Sequence, residues 1–459
     1  MEFRMQLTPL RVLTYVYPCL SVVGQYPLGT VGGVPLSLER VALLLLGPLC
    51  LVQVFAGGEN ARRIVRYTPG IITAGLGLWL IALALSCVLH FAPGDTALLW
   101  GYGQKFLLGF LFACAVAAEP DALRAVRLFA VTSLVATVAT FYVYVTQGSA
   151  AIRSGAFVSL EYGDVTLLEG VARAGANGSV PLMACWLQAV FARRGRLKLA
   201  WYVGVAALFV AAMLALRREY LLSIGVCMLW GVYSLPLGVR RFTAVFVVGG
   251  FLALGVGVIH LVPEWRQRLF SETVDSLTSG QDLRLLMLQT APKLFVEEPL
   301  AGHGLGTFPF LMATSLPVHL ATDEETNRFL ARGLASHNSF LTAGLETGLL
   351  GLVGLVALFG GLGLWSVRIW RNSRMRGGSA LAMFAPLFFI QIFFGVFFQD
   401  GLASNIIWAF MGMLIAIVAI ERSKGPGPRP GRQRPGQPGH LRRGPETLPP
   451  SHVRNRRMG

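Results

Sequence analysis

Apolar runs long enough to cross about 30 Å of hydrocarbon, roughly 18–25 residues each, recur along most of this chain, and that recurrence limits its fold more than any motif does. A soluble domain has no interior large enough to hide them: 54% of the 459 residues are hydrophobic and only 14% charged, with a mean hydropathy of +0.61. The expectation is an all-α polytopic membrane protein. Spans are predicted at about 12–32, 38–57, 69–91, 97–118, 124–146, 177–192, 199–216, 219–236, 242–262, 337–366, 379–398 and 401–421, twelve in all. The first is interrupted by Pro18, Gln25 and Pro27 and has no clear cleavage site, so it reads as a poor span rather than a removed signal peptide.

Lysine and arginine then set the orientation. Arg4 and Arg11, Arg62 to Arg66, Arg124 and Arg127, Arg193 to Lys198, Arg240 and Arg241, and Arg368 to Arg376 occupy alternate connections, which the positive-inside rule places in the cytoplasm with both termini. From Arg422 onward ten Lys/Arg stand against one acid, so the tail holds +9 of the chain's +16. That tail is Pro/Gly-rich and is expected to be disordered. It reads as a topology anchor touching anionic lipid rather than as a nucleic-acid binder. The six cysteines, at 19, 50, 87, 114, 185 and 227, lie in apolar runs without a CxxC pair, which favours buried packing over disulfides or a metal site.

The opposite, non-cytoplasmic side carries two long connections, Gln147–Ala176 and Pro263–Ser336; the second has six basic and nine acidic residues, unlike any cytoplasmic loop. Four regions follow: spans one to nine in 1–262, a large loop in 263–336, three further spans in 337–421, and the tail 422–459. The large loop is the natural place for a polar substrate.

Several residues near that loop can carry chemistry. Arg217 and Arg218 sit on the non-cytoplasmic side, against the topology rule. Their planar forks suit phosphate oxygens, and a local pair with Glu219 plus snorkelling is the alternative. Arg284 opens an amphipathic run in which Leu285, Leu288, Leu294 and Phe295 are expected to lie on the roof of the membrane domain. Gly302, Gly304 and Gly306 permit a tight turn close to a ligand or a helix end. His337 stands at a span start between Ser336 and Asn338, where an imidazole can accept a proton from a hydroxyl at the membrane surface, or simply start a helix. A continuous helix from 337 puts Gly344, Gly348 and Gly351 within roughly 40° of His337, as a packing stripe below it, with Glu346 on the opposite face. His303, His319 and the acidic run Asp323–Glu325 read as solvated groups rather than a metal site, and Asp400 as a turn residue or an arginine partner.

His337-Asn338, nine residues, then Gly348–Gly351 as GxxG, preceded by Arg284 and Pro299-Leu300-Ala301-Gly302-His303-Gly304-Leu305-Gly306 with Phe308, resembles the signature of the O-antigen ligase and polysaccharide polymerase superfamily of bacterial inner membranes. Leu216-Arg217-Arg218-Glu219 resembles that family's arginine ahead of the loop, with departures on both flanks, and His303 stands where an aliphatic residue is usual. The resemblance implies a GT-C-like glycosyltransferase in the inner membrane, with the active site periplasmic. It would be inverting and metal-independent, without cofactor, and would move an undecaprenyl-pyrophosphate-linked glycan to a sugar hydroxyl. His337, Arg284 and Arg218 would be catalytic; Arg217, Asn338, Gly302, Gly304 and Gly306 would bind substrate. The acceptor would be the lipid A core oligosaccharide in a ligase of lipopolysaccharide biosynthesis, or another lipid-linked repeat in an O-antigen or exopolysaccharide polymerase; a protein O-oligosaccharyltransferase is a third member of the set. Other polysaccharide-assembly proteins would be partners, nucleic acid would not. A lipid-linked glycan flippase is the contrasting class; it predicts inverted repeats, and the chain has no convincing one.

Overall fold

The structure is a computed structural model that describes residues 8–23, 27–31, 34–90, 95–148, 195–214, 218–234, 283–315, 338–375, 379–398 and 404–425, with isolated residues in 182–189, 249–267 and at 402. Helix α1 (Pro9–Val23) leads into a hairpin of β1 (Pro27–Val31) and β2 (Val34–Ser37), paired antiparallel with Thr30 opposite Pro35. There follow α2 (Leu38–Phe55), α3 (Glu59–Tyr67), α4 (Gly70–Leu89), α5 (Asp95–Ala115), α6 (Glu119–Gln147), α7 (Gly195–Leu214) and α8 (Arg218–Ser234). The last described elements are α9 (Leu283–Glu297), α10 (Phe308–Ser315), α11 (Ser339–Met375), α12 (Ala380–Phe398) and α13 (Asn405–Ser423).

Among the described residues eight helices are long and apolar enough to cross a membrane: Leu38–Phe55, Gly70–Leu89, Leu98–Ala115, Glu119–Gln147, Gly195–Leu214, Ser339–Arg374, Leu381–Phe398 and Ile406–Ser423. The chain is therefore a multi-pass, helical membrane protein. Two shorter apolar helices, Leu221–Ser234 and Leu252–Leu261, fall where further spans are predicted, while most of predicted span 177–192 lies outside the described residues. The predicted first span is different. Its helix ends at Val23, before Gln25 and Pro27, and the chain continues as the hairpin. Pro27 has no N–H with which to extend a helix, and here it opens a strand.

Glycine contacts set how closely the helices pack. A Cβ at Gly354 of α11 would lie 2.6 Å from the backbone N of Trp79 on α4, and one at Gly75 of α4 would lie 2.9 Å from the carbonyl O of Gly354. Gly361 meets Ile71 and Ile72 in the same seam. The backbones thus approach as only small residues allow, which substitutes for the hydrophobic drive that lipid cannot supply. Gly109 of α5 and Gly412 of α13 make an equivalent crossing beside Trp408, and the rings of Trp79 and Trp408 lie 5.7 Å apart.

The basic connections meet at one end of this bundle. Arg63 donates to the Ala117 carbonyl at 2.9 Å and Arg422 to the Tyr67 carbonyl at 2.6 Å. The guanidinium groups of Arg368 and Arg422 lie 4.9 and 4.7 Å from the centroid of the Trp365 ring, and Ser379 donates to the Glu119 carboxylate. Among the cysteines, Cys50, Cys87, Cys114, Cys185 and Cys227 are buried and Cys19 is half-buried; all are free thiols.

Candidate functional site

Asn338 opens α11. Its Oδ1 accepts the backbone N–H groups of Phe340 at 3.0 Å and Leu341 at 3.1 Å, the geometry of a helix N-cap. The helix that follows is not the continuous one expected from the sequence. Gly348 has φ 65° and ψ −162°, which is not helical. In a straight helix Phe340 and Phe359 would be separated by about 28 Å along the axis, yet their ring centroids are 5.5 Å apart. The chain therefore reverses at Gly348. A short segment, α11a (residues 339–347), folds back on α11b (residues 349–375), and a Cβ on Gly344 would touch Leu352 at 3.9 Å. This corrects the expected stripe: Gly348 is the reversal point, and the glycines facing α4 are Gly351, Gly354 and Gly361.

A reversal leaves peptide groups without helical partners, and the turn after α9 supplies them. The His303 N–H donates to the Leu345 carbonyl at 2.8 Å and the Gly304 N–H to the Glu346 carbonyl at 3.2 Å, while the Leu349 N–H donates to the Pro299 carbonyl at 2.7 Å. Ser86 of α4 donates to the same Glu346 carbonyl at 2.6 Å. Gly302, Gly304 and Gly306 all have positive φ, between 71° and 106°. A Cβ on Gly302 would fall 2.6 Å from the Gly348 nitrogen, one on Gly304 2.9 Å from His90 Cβ, and one on Gly306 2.6 Å from Leu98 Cδ1. The close approach that these glycines permit is thus to a helix end, one of the two possibilities open in the sequence.

Glu346, buried at 6% exposure, turns its carboxylate to the start of α10, where Oε1 accepts the Phe308 N–H at 3.3 Å. His303 is engaged structurally: its Nε2 lies 2.9 Å from the Leu294 carbonyl. The buried face of α9 is Met287, Ala291 and Leu294, packed with Phe308, Met312 and Leu345. Leu294 is buried among α10 and α11a, whereas Leu288 is exposed and the side chain of Leu285 lies outside the described residues.

Arg284 is the second residue of α9 and Arg218 the first of α8; their side chains lie outside the described residues, as do Arg217 and His337 entirely. The loop groups His319 and Asp323–Glu325, and Asp400, also lie outside them. The backbone nevertheless relates the starts of three helices. Helices α9 and α11a both finish at the docked turn, with Phe295 against Gly344 and Pro299 bonded to Leu349, so they run side by side in the same direction, and the longer α9 begins about 9 Å before α11a along that direction. Helix α12 leaves the basic end at Ser379, and near its far end Phe397 lies 6.3 Å from the Phe340 ring. Just beyond, the Leu402 N–H reaches Ser339 Oγ. Helix α8 finishes beside Trp370, its Trp230 ring 5.0 Å away, after Cys227 has met Gln391 of α12. The starts of α8 and α11 therefore lie away from the basic connections. Sequence reading missed Ser86 and Glu346 as parts of this arrangement, because Ser86 bonds to a carbonyl that only the reversal exposes and Glu346 to the first N–H of a helix 38 residues upstream.

No family model matches this chain, and no curated protein matches it either.

Proposed function

We propose that this protein is a membrane glycosyltransferase that moves a glycan from a polyprenyl-pyrophosphate carrier to a sugar hydroxyl, in the manner of an O-antigen ligase. The observation that supports the reading is that the helix starts bearing Arg218 and the Asn338 cap, next in sequence to His337, lie away from the basic connections, while the helix that carries Arg284 packs beside α11a. Cleavage of the bond between the anomeric carbon and phosphate leaves its electron pair on the lipid pyrophosphate. Arg218 and Arg284 stabilise that charge as it develops, worth about 3 kcal/mol for a well-placed donor. His337 takes the proton of the acceptor hydroxyl, whose oxygen forms the new glycosidic bond with inversion; a well-placed base contributes roughly 100-fold or more. The active side is the periplasmic one, opposite the cytoplasmic basic connections. A polymerase acting on two lipid-linked repeats uses the same donor chemistry and differs only in the acceptor.

The test is transfer by the purified protein in lipid nanodiscs, with a polyprenyl-pyrophosphate-linked glycan and either a lipid A core acceptor or a second lipid-linked repeat. His337→Ala, Arg284→Ala and Arg218→Ala are each expected to abolish transfer while the protein still inserts. Full turnover by His337→Ala removes the histidine from the mechanism, and lipid movement without a new glycosidic bond replaces the enzyme by a flippase. Product on the core identifies a ligase, and a lengthened lipid-linked glycan a polymerase.

A further inference from the structure

We propose that Glu346 is a positioning residue for this reaction, acting through α11a on the placement of His337, with Ser86 as its partner; the inference rests on the glycosyl-transfer reading. His337 immediately precedes the Asn338 cap of α11a, a segment of only nine residues that folds back from α11b at Gly348. A nine-residue helix is too short to hold itself in water by its own hydrogen bonds. Its orientation is set by what grips its far end.

Glu346 is held there from three directions. Its carbonyl receives both the Ser86 hydroxyl of α4, at 2.6 Å, and the Gly304 N–H of the docked turn, at 3.2 Å. Its carboxylate receives the Phe308 N–H, at 3.3 Å, at the N-terminus of α10. That end of a helix carries partial positive charge, which favours an anionic acceptor. One residue therefore ties α11a to a membrane span, to the glycine turn and to the helix after it, while Leu341 and Leu345 fix the roll of α11a against Met287, Ala291 and Leu294 of α9. The grip lies at the opposite end of α11a from Asn338, to which His337 is joined in sequence, so a small tilt at Glu346 becomes a larger displacement at the start of the helix. A displacement near 1 Å from a remote change can cost about 100-fold in rate.

The experiment measures steady-state transfer by the full chain in lipid nanodiscs, with the polyprenyl-pyrophosphate-linked glycan as donor, for the wild type, Glu346→Ala, Glu346→Gln, Ser86→Ala and His337→Ala, with thermal stability recorded for each. Glu346→Ala is expected to lower kcat 10- to 100-fold with donor KM unchanged within twofold. Glu346→Gln keeps an oxygen that can accept from Phe308 and is expected to regain most of the rate. Ser86→Ala removes the tightest bond to the same carbonyl without a change of charge, and is expected to lower kcat 5- to 20-fold even if Glu346→Ala does not fold. A Glu346→Ala protein that folds and turns over at the wild-type rate overturns the proposal, as does a loss of rate that tracks thermal destabilisation equally in all three variants. His337→Ala separates the two levels of inference: if it is inactive while the Glu346 and Ser86 variants are normal, only the positioning role fails. If His337→Ala is fully active, the reading of the site fails with it.

Discussion

Gly348 concentrates the demands that the rest of the junction places on single residues. Its φ of 65° with ψ −162° lies in a region essentially restricted to glycine, and a Cβ there would run into the Leu300 backbone. Gly348→Ala is therefore expected to destabilise the fold by more than the ~1–3 kcal/mol of backbone strain alone, seen as a lowered melting temperature in detergent. Gly360→Ala serves as the control, because nothing lies within 4 Å of its would-be Cβ. Asn338 makes a finer case. If its amide oxygen acts by capping α11a, Asn338→Ser keeps stability and transfer, and Asn338→Ala loses about 1 kcal/mol. A Ser variant that is stable yet inactive would instead assign Asn338 to the substrate.

At the scale of elements, the seam between α4 and α11b decides whether the docked turn finds its site, because Ser86, Gly75 and Trp79 all belong to α4. Gly354→Leu places a side chain where Trp79 N is already 2.6 Å from a bare Cβ. It is expected to lower the yield of folded protein several-fold, whereas Gly360→Leu, six residues on, is tolerated; size-exclusion profiles in detergent compare the two. The existence of these helices was legible in the sequence. The run Gly70–Leu89 is twenty residues with no charge, and length alone makes it a span. The reversal in α11 was not legible, since a glycine in Glu346-Thr347-Gly348-Leu349 suits a packing stripe as well as a break. What decides between them is the Pro299–Gly304 turn, which pairs the Leu345 and Glu346 carbonyls and the Leu349 N–H from far upstream. The pattern did hold one clue: both segments are glycine-rich, and Gly302 and Gly348, each at positive φ, mark the place where the two backbones come close. The short first helix was better signalled, because Pro18, Gln25 and Pro27 already interrupt it and the hairpin begins at Pro27.

For the whole molecule the organising fact is polarity along the bundle. Arg63, Arg368 and Arg422 hold one end together through carbonyls and the Trp365 ring, and the helix starts bearing Arg218 and Asn338 lie away from it. Arginines at the first end serve orientation and packing; an arginine at the second end runs against the orientation rule and is costly near lipid unless an anion or carboxylate meets it. The proposed chemistry thus depends on which end faces which compartment. Single cysteines settle this cleanly, because five of the native thiols are buried and only Cys19 is half-buried, so a Cys19→Ser background is expected to label weakly. Exposed Thr314 on α10 and exposed Arg66 on α3 report on the two ends. In intact spheroplasts a membrane-impermeant maleimide is expected to label Thr314→Cys at once and Arg66→Cys only after permeabilisation. Labelling of Arg66→Cys alone before permeabilisation would invert the orientation, put the candidate site on the cytoplasmic side, and sink the periplasmic transfer reaction. Equal labelling of both would mean that α3 and α10 share a compartment, which the passage of α4 from Gly70 at the basic end to Ser86 at the docked turn forbids for a single span.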